Sequence, residues 1–148
     1  MVKFIAHRGN IAGPQPTFEN TDGYLKHAYA NDCFVEVDII KYQDKLYYGH
    51  DDPKQLADLE FLFNPGVYCH AKTLDTLTAL LDMKLTCFWH ENDQVTLTSD
   101  NKIWCYPGHH PVHHSAIWLD LHNKPLPKEN LDKIYAVCGD YKDYYSND

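Results

Sequence analysis

Short apolar runs alternate with amphipathic stretches along this chain, and polar residues gather where the runs stop. Residues 3–6 form an apolar run closed by His7-Arg8-Gly9, the pattern of a buried strand that delivers side chains at its C-terminal end. Residues 10–16, with Gly13, Pro14 and Pro16, read as a loop. Thr17 and Glu19-Asn20-Thr21 then offer capping chemistry for a helix over 22–30. The next run, 33–41, has strand periodicity, so Glu36, Asp38 and Ile40 share one face and Val35, Val37 and Ile39 the other. Two carboxylates therefore point the same way.

Gln43-Asp44-Lys45 predicts a turn into 46–51, which brings His50 back towards the end of the strand that carries Asp38; Gly49 permits a close backbone approach there. A strand over 66–72 puts Tyr68, His70 and Lys72 on one face. An amphipathic helix over 74–82 follows, with Leu74, Leu77, Leu80 and Leu81 expected on its core side. Residues 85–90 read as a strand, 95–98 and 102–106 as a hairpin about Ser99-Asp100-Asn101, 116–121 as a strand, 128–133 as a helix and 134–138 as a last strand. This alternation predicts an α/β fold with a mainly parallel sheet. About six core strands in a single domain, 1–148, fall short of the ~250 residues of a full eight-fold barrel. The expectation is a reduced or incomplete TIM-type (β/α) barrel, its open edge covered by C-terminal structure or by a second copy in a homo-oligomer. A doubly wound open sheet is the alternative topology.

Composition narrows the partners. A formal charge of -8 argues against the long basic surface that displaces counterions from nucleic acid, yet 13 Lys and Arg leave ample cations for a small anion. No run approaches the ~18 apolar residues of a membrane span, and the N-terminal apolar stretch is too short for a secretory signal. Cys33, Cys69, Cys87, Cys105 and Cys138 lack CxxC spacing and sit among apolar residues. They read as reduced, buried thiols of a cytoplasmic protein.

His7-Arg8-Gly9, Glu19-Asn20-Thr21, Glu36-x-Asp38 and His50-Asp51, in that order and spacing, resemble the glycerophosphodiester phosphodiesterase family, a TIM-barrel group related to the phosphatidylinositol-phospholipase-C-like phosphodiesterases. The likeness covers roughly half of the chain and weakens beyond Lys72. It implies that His7 and His50 are general acid and base, that Arg8 and Lys72 bind the substrate phosphate, and that Glu36 and Asp38 hold a divalent cation. Where the family pattern has Glu-x-Lys, this chain has His70-Ala71-Lys72, so the third metal ligand becomes an imidazole. Magnesium, calcium and manganese are the cations the resemblance implies. Zinc joins them because of His70, since imidazole suits zinc, manganese or nickel better than calcium.

These residue types suit hydrolysis of a small phosphodiester. Such a reaction needs a base for the nucleophile, an acid for the leaving oxygen and cations for the non-bridging oxygens. A lyase that stops at a cyclic phosphate and a phosphate-binding module without catalysis are the alternatives. Plainer roles exist for each residue: Arg8 pairing with Glu19 or Glu36, Lys72 solvated, His70 a hydrogen-bonded wall. Trp89-His90-Glu91 can add a polar group to the pocket, and Trp104 and Tyr106 an apolar wall. His109-His110-Pro111-Val112-His113-His114 lacks helical ligand spacing and reads as a rim loop.

Overall fold

In the computed structural model, which describes residues 2–121 and 125–146, ten strands belong to one sheet. In chain order they are β1 (Lys3–His7), β2 (Phe34–Tyr42), β3 (Lys45–Tyr48), β4 (Gln55–Leu56), β5 (Val67–Ala71), β6 (Cys87–Trp89), β7 (Val95–Leu97), β8 (Ile103–Cys105), β9 (Ala116–Asp120) and β10 (Ala136–Gly139). The α-helices are α1 (Asp22–Ala30), α2 (Leu59–Leu62) and α3 (Leu74–Asp82). The main path runs β4-β3-β2-β1-β10-β9-β8-β7, and β5 joins β2 to β6. Among the named strands, pairing is antiparallel in the β2-β3-β4 meander and the β7-β8 hairpin and parallel elsewhere; Ala12 and Tyr141 form an isolated antiparallel bridge.

The sheet curls. Phe88 on β6 stacks on Trp104 of β8 at 4.2 Å, and the Ser99 amide donates to the Cys87 carbonyl at 2.8 Å, although β6 and β8 share no ladder. Inside the curl lies a cluster of Ile5, Tyr68, Phe88, Trp104, Ile117, Leu119, Ala136 and Cys138. Outside it, Val35, Val37 and Ile39 pack with Leu25, Ala28 and Leu80 of the helices. The alternation along β2 thus splits as the sequence predicts, with aliphatic residues outward and acids inward.

The expected alternating (β/α) TIM-type barrel is not formed. Among the described residues all three α-helices precede residue 83, and beyond it the structure holds a hairpin and 3₁₀ turns between strands, giving a curled mixed sheet with few helices. The reason is local. Residues 95–105 pair with themselves across a tight turn, 106–115 contain Pro107 and Pro111, and Pro125 and Pro127 precede what shortens from a helix over 128–133 to the 3₁₀ turn Leu131–Lys133. Within α3, Leu80 is buried and Leu77 partly so, but Leu74 and Leu81 are exposed; Thr76 takes the inner position, its hydroxyl accepting from the Lys41 amide at 2.8 Å. The C-terminal segment covers the outer face of β1, where Tyr145 stacks on Phe4. All five cysteines are free and buried, and no helix among the described residues is long and apolar enough to cross a membrane.

Candidate metal and phosphate site

Because β6, β5, β2, β1, β10, β9 and β8 run parallel, their C-terminal ends share one rim of the curl, and the chemistry-bearing residues collect there. His7, Arg8, Glu36, Asp38, His50, His70 and Lys72 all line one cavity of about 310 Å³. Register explains the closeness: His7 is level with Glu36, and Asp38 with His70, on neighbouring parallel strands.

Glu36, Asp38 and His70 are buried and offer three ligand atoms that all lie within 4.8 Å of one another. His70 Nε2 lies 3.2 Å from the carbonyl oxygen of His90, which only accepts, so Nε2 carries the hydrogen and Nδ1 presents a lone pair. That lone pair faces Asp38 Oδ1 at 3.3 Å and Glu36 Oε2 at 4.0 Å. The ring is further fixed by stacking on Phe88 at 4.6 Å. Glu36 Oε1 and Asp38 Oδ1 are buried with no hydrogen-bond partner. Three converging lone pairs with unpartnered carboxylate oxygens fit a cation; between protein groups alone they repel.

A surrounding layer orients this set. Asn20, in the left-handed region at φ 57°, brackets Asp38: its amide donates to Oδ2 at 2.9 Å and its Oδ1 accepts from the Asp38 backbone amide at 3.0 Å. Arg8, also left-handed at φ 54°, sits in the tight turn that ends β1 and places its Nε 3.0 Å from Asp38 Oδ2 as an ion pair, with a longer contact of 3.5 Å to Glu19. The plain pairing of Arg8 with Glu19 is therefore real, while Glu36 is left to the other two ligands. Burial, reinforced by the charge of Asp38, pushes the Glu36 carboxyl above its ordinary range. Burial acts on Asp38 in the same sense, but Arg8 and Asn20, joined by His70 whenever its ring is protonated, outweigh it and hold that carboxyl below its ordinary range.

The two histidines differ. His7 Nδ1 lies 3.0 Å from Asp140 Oδ1, which also accepts from Asn10 Nδ2 at 2.9 Å. Burial disfavours the imidazolium, but the hydrogen bond to Asp140 and the charges of Glu36 and Asp140 prevail and raise the His7 pKa. The sequence left Asp140 unassigned; its signal is an acid directly following the last strand, which only the β1-β10 pairing brings beside His7. His50 stands on a more open loop, its side chain 40% exposed and its Nδ1 2.9 Å from Asp51. Gly49 admits that loop: a Cβ there would meet the Asp52 carbonyl oxygen at 2.0 Å. Lys54 Nζ ties it down by donating to the Thr17 and Glu19 carbonyls at 3.1 and 2.9 Å. Lys72 is half-buried at the cavity and pairs with no carboxylate among the described residues.

The His7-Asp140 pair gives a pH signature. The lowered Asp140 pKa contributes stability above the free value of 3.8, lost as pH falls through the folded value; the raised His7 pKa contributes below 6.5, lost as pH rises through its folded value. Denaturant titrations of the protein and of Asp140→Asn should therefore differ most between these two free values, and converge on either side. A difference that is flat with pH contradicts the pair.

Trp104, expected as an apolar wall, lines the cavity at 2% exposure and packs on its other side in the inner core. Tyr106 and His90 do line the cavity, stacked ring on ring at 3.7 Å. The histidine-rich 109–114 segment is mostly exposed; His110 stacks on Trp118 and its Nε2 reaches the Leu119 carbonyl at 3.2 Å, which makes it a packed rim and not a ligand cluster. No family model, curated protein or solved structure matches this chain.

Proposed function

We propose that this chain is a metal-dependent phosphodiesterase that hydrolyses a small glycerophosphodiester-like molecule by general acid-base catalysis with His7 and His50. The observation that carries the reading is convergence: a three-donor metal set, two cations and two imidazoles share one cavity of about 310 Å³, the size of a small soluble substrate. A divalent cation held by Glu36, Asp38 and His70 would polarise a phosphoryl oxygen and neutralise its charge. Arg8 and Lys72 line the same cavity, and Lys72, paired with no carboxylate among the described residues, offers its charge to an anion. His7, whose imidazolium is favoured by Asp140, gives a proton to the leaving alcohol oxygen. His50, on the open loop, takes one from the attacking water, so that a phosphomonoester and the alcohol leave.

The test is turnover of a panel of glycerophosphodiesters with magnesium, calcium, manganese or zinc, followed by phosphorus NMR. Release of alcohol and phosphomonoester is the expected result. A cyclic phosphate as the final product replaces hydrolase with lyase, and tight diester binding without turnover under every cation leaves a binding module.

A further inference from the structure

Tyr106 follows β8 directly and lines the cavity across from β2. Its ring lies nearly parallel to that of His90, with centroids 3.7 Å apart and planes 12° apart. His90 is in turn 4% exposed and anchored, its Nε2 donating to the Asp93 carbonyl. The phenol is thus clamped, yet its hydroxyl has no hydrogen-bond partner among the described residues. A half-buried donor without a protein acceptor, held at the wall of the cavity that Arg8 and Lys72 also line, is arranged for a ligand oxygen.

We propose that the Tyr106 hydroxyl is a third donor to the substrate's phosphoryl oxygens beside Arg8 and Lys72, and that His90 is a positioning residue that holds it by ring stacking. The inference rests on the phosphodiester reading of the same cavity. A further fact supports it. Burial, with the nearby charges of Glu36 and Asp38, pushes the phenol up to about 12, so it keeps its proton as a donor.

The experiment is calorimetric binding of inorganic phosphate to the manganese-loaded protein, with manganese affinity measured separately. Tyr106→Phe keeps the ring and removes the donor, and should weaken phosphate binding about tenfold or more, as expected for a lost hydrogen bond to a charged acceptor. Manganese affinity should not change. His90→Phe preserves the stack and should keep phosphate affinity within about twofold, while His90→Ala should fall towards the Tyr106→Phe value. Equal phosphate affinity in Tyr106→Phe overturns the proposal, as does a loss that merely follows weakened manganese binding. A wild-type protein that binds phosphate tyrosine-dependently but turns over no diester sinks the hydrolase reading alone; one that binds no phosphate sinks both.

Discussion

Replacing His7 with Ala is expected to lower kcat/KM for the diester about a thousandfold, within the range for loss of a general acid-base group. The fold should survive. His7 is the last residue of β1 and points into the cavity, and Asp140, its partner, keeps the hydrogen bond from Asn10 at 2.9 Å. Manganese and phosphate affinities should hold, because neither the metal set nor the phosphate cations include this ring. Partial rescue by added imidazole would identify the missing proton carrier. Activity within about threefold of wild type, with the variant shown by mass spectrometry, would remove His7 from the chemistry.

The second large effect runs in opposite directions for stability and function. Glu36→Gln should abolish metal binding and turnover while raising the stability of the metal-free protein by about 2 kcal/mol, the order of cost of a buried carboxylate without full compensation. Thermal unfolding should move up by about 4–8 °C for that change. The sign follows from burial: the raised Glu36 pKa means that the neutral form fits the folded site, so the contribution of Glu36 to stability is greatest below the free value of 4.5 and declines as pH rises through the folded value. The advantage of the glutamine variant should therefore vanish in acid. Saturating manganese should reverse the order at neutral pH, since a ligand that binds only the folded state stabilises it. A glutamine variant less stable than wild type without metal would mean that Glu36 is satisfied by protein groups.

What the sequence revealed follows the range of the interactions involved. Helices α1 and α3 occupy the predicted spans, because helical periodicity acts within a few positions; at α3 the Thr73 hydroxyl caps by accepting from the Thr76 amide at 3.1 Å, whereas Thr21 before α1 makes no capping bond and donates to the Phe18 carbonyl instead. The inward face of β2 was equally readable, since alternation alone separates Glu36 and Asp38 from Val35, Val37 and Ile39. Leu74 and Leu81 were placed on the core side by the same helical logic and are exposed, because the curl of the sheet admits only a narrow stripe of α3 and Thr76 fills part of it. The barrel expectation failed after residue 83, where proline-containing loops and a self-paired hairpin replace the helices that alternation alone would supply. Residue types marked the site from a distance, but its partners did not. Asp140 lies 133 positions from His7, and the His90 carbonyl that fixes the His70 tautomer is a backbone group with no sequence signature at all.

With Nε2 held by a carbonyl, His70 can offer only Nδ1 inward, so the imidazole is a donor with a fixed direction. The set then contains two carboxylates and one nitrogen, a mixture that suits manganese and zinc better than calcium.

The most direct test is diffraction from crystals grown with manganese, using anomalous scattering to locate the ion. The proposed centre requires one strong peak about 2.0–2.4 Å from His70 Nδ1 and from one oxygen each of Glu36 and Asp38. A vacant centre at saturating manganese, with His70 sharing a proton with Asp38 instead, would contradict it.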